Sequence, residues 1–307
     1  MMHEEVFMGY DVIVVGGSFA GLSAAMQLVR ARRRILLVDA GKPRNRFAEA
    51  AHGFLGQDGV PPADIMREGL RQLSAYPTFD FFHGEVQTAQ ADGGGFRVRL
   101  SDGCDAAARR LVLATGVADD LPLASMTPRW GVSVLHCPYC HGYEVRDRPL
   151  AVVANHPMAA HQGLLLPDWG PTTYFTQGVF EPAPEEAAQL TARGVAIERT
   201  PVVELLGEGS ATRALRLADG REVAADAVFT APKTRVASPL AEQLGCAFAE
   251  GMTGSHIQVD AMQQTTTTNV FAAGDAAQPM HNATLASAAG VMAGVSAHRS
   301  LVLEAAA

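Results

Sequence analysis

The sequence predicts an α/β protein of two nested, three-layer (ββα) domains, one of them split around the other. Three observations carry this. An apolar strand, a glycine-rich turn and a helix open the chain at Tyr10–Arg30. A short apolar strand closes on Gly274-Asp275 near the other end, and a second strand–helix–strand pattern begins at Pro149 between them. Alternation of this kind builds parallel sheets covered by helices. The 307 residues suffice for about two domains, and 30 glycines suit many tight strand-to-helix turns.

Taken in order, Tyr10–Val15 is an apolar strand interrupted only by Asp11 near its start, as a strand buried on both faces requires. Gly16-Gly17-Ser18-Phe19-Ala20-Gly21 is the turn, Leu22–Arg30 the helix and Ile35–Val38 the next strand. The turn follows the dinucleotide fingerprint, with Ser18 in place of its second glycine, and Asp39 lies 18 residues beyond Gly21, where an acid meets a ribose hydroxyl. A tight turn of any doubly wound protein reads the same way. Val86–Leu100 is a hairpin turning at Asp92–Gly95, and Leu111–Leu113 is a strand closing on Ala114-Thr115-Gly116. In the middle, Pro149–Ala154 and Thr172–Phe175 are strands flanking a helix at Ala159–Leu166. Val202–Phe229 supplies small strands with turns at Glu208–Ser210 and Asp219-Gly220. Asn269–Ala273 is the strand before Gly274-Asp275. Met280-His281-Asn282-Ala283 opens an Ala-rich helix to about Leu303, with Asn282 as its cap.

Composition excludes several classes. Lys plus Arg number 24 against 32 Asp plus Glu, a net charge of −8 that disfavours a phosphate backbone, so no nucleic-acid partner is expected. With 48% hydrophobic and 18% charged residues the chain is globular rather than disordered. Glu4 and Glu5 stand where a signal peptide carries basic residues, and every apolar run stops well short of the roughly 20 residues of a membrane span. A cytoplasmic protein without membrane contact is expected.

Four cysteines are too few for a disulfide scaffold at this size. Two of them form the most specific motif, His136-Cys137-Pro138-Tyr139-Cys140-His141-Gly142-Tyr143-Glu144. Cys-x-x-Cys spacing puts two sulfurs within disulfide reach, and a helix starting at Pro138 lowers a thiol pKa from about 8.5 towards neutrality. Zinc on Cys137, Cys140 and a flanking histidine is an alternative, but structural zinc draws on two separated ligand pairs. An inert pair is another. Redox chemistry is favoured and no metal is expected; Cys104 and Cys246 stand alone and are expected to pack in the core.

In this order the segments resemble the FAD-binding domain of the two-dinucleotide-binding-domain flavoproteins. With a Cys-x-x-Cys ahead of the inserted domain's first strand, the chain resembles the low-molecular-weight thioredoxin reductases over nearly its full length. That resemblance implies Rossmann-like domains, a discontinuous FAD-binding domain at 1–117 and 233–307, and an inserted domain at 118–232. It implies that Gly16, Gly17, Ser18, Ala20 and Gly21 meet the FAD pyrophosphate and that Asp39 meets its adenosine ribose. Ala114, Thr115, Gly116 and Gly274 then line the cofactor, and Asp275 binds its ribityl chain. His281, Asn282 and Ala283 form a helix N-terminus at the pyrimidine edge of the flavin. Cys140 would face the flavin and Cys137 would be the interchange thiol. His141 stands where the family carries an acid–base aspartate, and its unperturbed pKa near neutrality suits proton exchange with thiols. A homodimer is implied as well.

The pattern breaks in the inserted domain. The second nucleotide turn reads Ala154-Asn155-His156-Pro157-Met158-Ala159, without its glycines, and Thr176-Gln177-Gly178 replaces a His-Arg-Arg cluster for the ribose phosphate. Each lost charged contact costs roughly 1.5 to 3 kcal/mol, and each 1.4 kcal/mol is about tenfold in affinity, so NADPH is not expected as reductant. The segment His52-Gly53-Phe54-Leu55-Gly56-Gln57-Asp58-Gly59, with Cys-Pro-Tyr-Cys, resembles the thioredoxin-reductase-like dithiol oxidases. Those enzymes close disulfides in metabolites such as gliotoxin and holomycin and pass electrons to oxygen. On that resemblance His52 and His136 are substrate contacts, although His52–Gly59 fits a loop packed on FAD equally well, and the partner is a small-molecule or peptide dithiol. The alternatives are a reductase of a thioredoxin-like protein fed by ferredoxin or another donor, and a flavoprotein redox sensor.

Overall fold

The computed structural model describes residues 9–304. The acidic start at Glu4 and Glu5 and the outermost residues of the expected domain limits lie outside that range. The chain forms two compact units: Met1–Arg44, Ala63–Ala118 and Thr234–Ala307 make the first, and Asn45–Pro62 with Asp119–Lys233 makes the second. The expected limits of 1–117 and 233–307 include residues 45–62 in the first domain, whereas here they belong to the second unit.

The first unit is built on a seven-stranded sheet. Its strands β1 (Tyr10–Val15), β2 (Ile35–Asp39), β3 (Phe79–His83), β4 (Val86–Asp92), β5 (Gly95–Leu100) and β6 (Asp105–Leu113) run in the order β3-β2-β1-β6-β5-β4, and Val270–Ala272 pairs with β6. Strands β1, β2, β3, β6 and Val270–Ala272 are parallel, while β4 and β5 form an antiparallel hairpin on β6. Their side chains are buried on both sides: Val12 and Val14 join one core cluster, Ile13 and Val15 the other. Helix α1 (Phe19–Arg30) and the C-terminal helix Ala283–Glu304 cover the first face together. They approach closely because Gly290 and Gly294 carry no side chain; a Cβ there would lie 2.1 Å from Ala20 O and 2.6 Å from Ala24 O. Helix α1 starts at Phe19, earlier than the expected Leu22, because the Ser18 carbonyl already accepts the Leu22 N–H at 2.9 Å.

The second unit contains a five-stranded parallel sheet in the order Ala196–Glu198, Thr172–Phe175, Leu150–Val153, Ala227–Phe229, Val134–Leu135. A three-stranded antiparallel sheet, Val202–Leu206, Ala214–Leu217 and Glu222–Ala224, packs its Val202, Leu205 and Leu215 onto one face. Helices Ala159–Leu165 and Pro184–Ala192 place Ala160 and Leu190 against the other. Helix Pro62–Leu73 was not singled out by periodicity. One sequence expectation is corrected here: Cys104 does not pack in the core but is exposed in the turn before β6, where its N–H is held by Asp102 Oδ1 at 2.9 Å, whereas Cys246 is buried.

Candidate active site

The Cys-x-x-Cys lies in the second unit, just past the end of strand Val134–Leu135. Cys137 is extended (φ −110°, ψ 116°), and Pro138 opens a one-turn helix, Pro138–His141, at the position where a missing N–H costs nothing. Neither cysteine is in a disulfide, and Cys140 Sγ donates to Cys137 Sγ at 2.8 Å. That hydrogen bond pulls the Cys137 pKa from 9.0 down to about 7. Burial opposes the shift, and the backbone N–H groups of Cys140 and Tyr139 add to it. Cys137 is therefore the thiol that ionises near neutral pH.

His141 closes the same helical turn. Burial lowers its pKa, His52 lowers it further and Glu144 opposes both, so its imidazole is neutral at pH 7. Among the described residues neither ring nitrogen has a hydrogen-bond partner, which leaves the ring able to accept a thiol proton. Gly142 lies against Trp169; a Cβ would sit 2.9 Å from the indole and 2.6 Å from Pro138 O. Trp169 in turn meets Tyr139 edge to face at 5.8 Å.

Segment 45–62 joins this site, which is why it belongs to the second unit. Gly53 sits 3.9 Å, Cβ position to oxygen, from Tyr139 O. His52 Nε2 lies 3.5 Å from Glu144 Oε1, and its Nδ1 lies 3.5 Å from Asp58 Oδ1, which also accepts the Gly53 N–H at 2.9 Å. His52, far from the motif in sequence, thus shares one unit with His136, Cys137, Cys140 and His141. Glu144, at the end of the motif, was not assigned a role from sequence.

The turn Ala154–Ala159 is tied down by its own side chains. His156 Nδ1 accepts the Met158 N–H at 3.1 Å, and Asn155 Nδ2 donates to Ala231 O at 2.6 Å. Gln177, held at φ +55°, donates to Val202 O at 3.1 Å and accepts the Val202 N–H at 2.7 Å, so it pins the start of strand Val202–Leu206.

In the first unit the glycine turn is a cradle that side chains would fill. A Cβ on Gly16 (φ +101°) would meet Ala114 O at 2.2 Å, and one on Gly21 would meet Gly16 O at 1.7 Å. Ser18 does not cap α1 with its side chain, which leaves the helix's first N–H groups for an anion. Asp39 accepts from the N–H of Gly17 at 2.8 Å and of Gly41 at 3.1 Å, and each oxygen keeps a lone pair for a ribose hydroxyl. Thr115 Oγ1 is buried without a partner among the described residues, and Gly116 (φ +66°) has open space beside it. Gly274 (φ +74°) packs on Ala20, and Asn282 Oδ1 caps the C-terminal helix through the N–H groups of Thr284 (2.8 Å) and Leu285 (3.2 Å). Arg44, missed in the sequence, bridges Asp275 Oδ2 at 3.4 Å and His281 Nδ1 at 2.7 Å. An open helix start, a side-chain-free cradle and an orphaned hydroxyl fit a dinucleotide. Among the described residues no three His, Cys, Asp or Glu side chains converge as a metal site, and no helix is long and apolar enough to cross a membrane.

The profile of the pyridine nucleotide-disulphide oxidoreductases matches residues 10–154 and 179–291. The chain belongs to that family. It is accordingly an oxidoreductase enzyme of the two-dinucleotide-binding-domain type, resembling the thioredoxin reductases, with FAD as its cofactor. It is similar to the crystal structure of an oxidoreductase from Agrobacterium tumefaciens, with 50% identity, a TM-score of 0.92, and 96% and 99% of the two chains covered. It is also similar to the crystal structure of HlmI, with 36% identity, a TM-score of 0.89, and 100% and 96% covered. Among curated proteins, a thioredoxin reductase, tcpT, of Claviceps purpurea is 28% identical over 96% of this chain and 95% of its own length.

Proposed function

We propose that the protein oxidises a substrate dithiol to a disulfide, with Cys137 and Cys140 as its exchange pair and oxygen as the final acceptor. The observation that supports this most is the contrast within the second unit: a thiol pair with Cys137 ionising at about 7 stands beside a nucleotide turn closed by Asn155, His156 and Gln177. Electrons then enter from thiols and not from NADPH. In this reading the first unit is the FAD-binding domain, and the second is the inserted Rossmann-like domain that has lost its nucleotide.

The cycle starts from the Cys137–Cys140 disulfide. A substrate thiol attacks Cys137 Sγ as its thiolate, the S–S bond breaks, and Cys140 leaves and takes up the proton that thiol released, becoming an S–H. The second substrate thiol, giving its proton to neutral His141, attacks the substrate sulfur of the mixed disulfide. Cys137 then leaves readily because its thiolate is stabilised by the Cys140 S–H. The substrate departs as a disulfide, and two electrons and two protons remain on the protein. Bound FAD supplies the two-electron outlet, so each substrate disulfide is matched by one hydrogen peroxide formed from oxygen. In this reading His52, held between Asp58 and Glu144, and His136, next to Cys137, are the substrate contacts. A homodimer in the cytoplasm is the expected assembly and setting, on family resemblance alone.

The test is oxygen uptake with a dithiol: equal amounts of oxygen consumed, peroxide formed and disulfide produced support the reading. The names of curated relatives support a second reading, a thioredoxin-type disulfide reductase with a donor other than NADPH. Absence of oxygen uptake with every dithiol, together with thioredoxin reduction driven by reduced ferredoxin, would establish that reading instead.

A further inference from the structure

The five-stranded parallel sheet of the second unit has its switch point between strands Leu150–Val153 and Ala227–Phe229, where the strand order reverses. Ligands of open α/β sheets bind at the carboxyl ends of the strands beside such a point. Two side-chain amides are anchored on adjacent strand ends there, since Ala227–Phe229 pairs with Val134–Leu135 and the Thr230 N–H reaches Leu135 O. Asn155, just past Leu150–Val153, donates from Nδ2 to Ala231 O at 2.6 Å, across the switch point. Gln162, on helix Ala159–Leu165, donates from Nε2 to His136 O at 2.7 Å, immediately before Cys137. A carbonyl oxygen can face only the NH2 end of an amide, so both orientations are determined. The two remaining oxygens, Asn155 Oδ1 and Gln162 Oε1, are buried and have no hydrogen-bond partner among the described residues.

A buried acceptor left unpaired is costly, and two held on adjacent strand ends, one of them leading into Cys137, call for a ligand with donors. Phosphate, which offers acceptors, is the wrong chemistry, and the turn above them lacks the glycines a dinucleotide needs. We propose that Asn155 Oδ1 and Gln162 Oε1 form a substrate subsite that receives amide N–H groups of a peptide-like dithiol. The subsite lies where the family's pyridine nucleotide would lie and holds the dithiol against Cys137. This rests on the dithiol-oxidase reading and names the substrate class within it.

The experiment compares reduced N-acetyl-Cys-Gly-Gly-Cys-amide with butane-1,4-dithiol, which has the thiols but no N–H or O–H other donor. In Gln162→Met and in Asn155→Val, the ratio of kcat/KM for the peptide over the alkane dithiol should fall roughly three- to tenfold, the range expected for one lost hydrogen bond. A merely structural role lowers both substrates equally and leaves the ratio unchanged, which overturns the subsite, as does an unchanged ratio from a water-filled crevice. A second arm needs no turnover: calorimetric binding of the peptide to Cys137→Ser/Cys140→Ser, with and without Gln162→Met. Weaker peptide binding in the triple variant supports the subsite even if no oxygen is consumed, in which case the oxidase reading alone fails. Peptide binding that ignores both amide substitutions, or that NADPH displaces at micromolar concentration, overturns it.

Discussion

Replacing Cys140 by alanine removes the S–H that donates to Cys137 Sγ at 2.8 Å, the largest cause of the low Cys137 pKa. The shift from 9.0 to about 7 spans about two units, or about 2.7 kcal/mol at 1.36 kcal/mol per unit. The backbone N–H groups of Tyr139 and Cys140 persist in the variant and oppose burial, so the Cys137 pKa rises by about one unit or more. At pH 7 the thiolate fraction falls from about a half to below about a tenth. Alkylation of reduced Cys137 by iodoacetamide, followed across pH by peptide mass so that exposed Cys104 is counted separately, reads this directly. Cys140→Ser keeps an O–H donor and should keep its midpoint near 7, while Cys140→Ala slows alkylation at pH 7 about five- to tenfold. Equal midpoints in the two variants would refute the claim that the neighbouring donor sets the reactivity of Cys137.

Other outcomes follow from packing and titration. Gly290→Ala puts a Cβ 2.1 Å from Ala20 O, so it should cost about 1–3 kcal/mol in urea unfolding by pushing the C-terminal helix off α1; a change within error would mean the helices separate freely. His141 has its pKa lowered in the folded protein by burial, so the unfolded chain binds that proton more readily. Its contribution to stability is complete above about pH 6.5 and is lost as pH falls below that value. His141→Leu should therefore flatten the loss of urea midpoint between pH 7.5 and 5.5, and a slope identical to the wild type would contradict a buried neutral ring.

The glycine turn and its strands were legible because one face-independent apolar run, Tyr10–Val15, and a punctuated turn specify a buried parallel strand and its crossover. The hairpin at Val86–Leu100 was legible from its Asp92–Gly95 turn, and the Cys-x-x-Cys from its spacing. The place of His52 was not, since segment 45–62 is irregular and its position depends on Asp58 and on Glu144, the latter 92 residues away. Arg44 escaped for the same reason: its partners Asp275 and His281 lie more than 230 residues on. Helix Pro62–Leu73 carried a signal that periodicity alone did not use, a proline at its first position with Asp64 in the first turn. Cys104 was misread because a small residue beside a strand suggests core, and only the turn through Asp102 shows it exposed.

The central claim is that electrons enter through thiols and that the second unit has lost its nucleotide. The anaerobic visible spectrum of the FAD-loaded protein, titrated in turn with NADPH and with a dithiol, tests it most directly. The dithiol should bleach the flavin band and air restore it, while NADPH at micromolar concentration leaves the spectrum unchanged. Rapid bleaching by NADPH, with none by any dithiol, would contradict it.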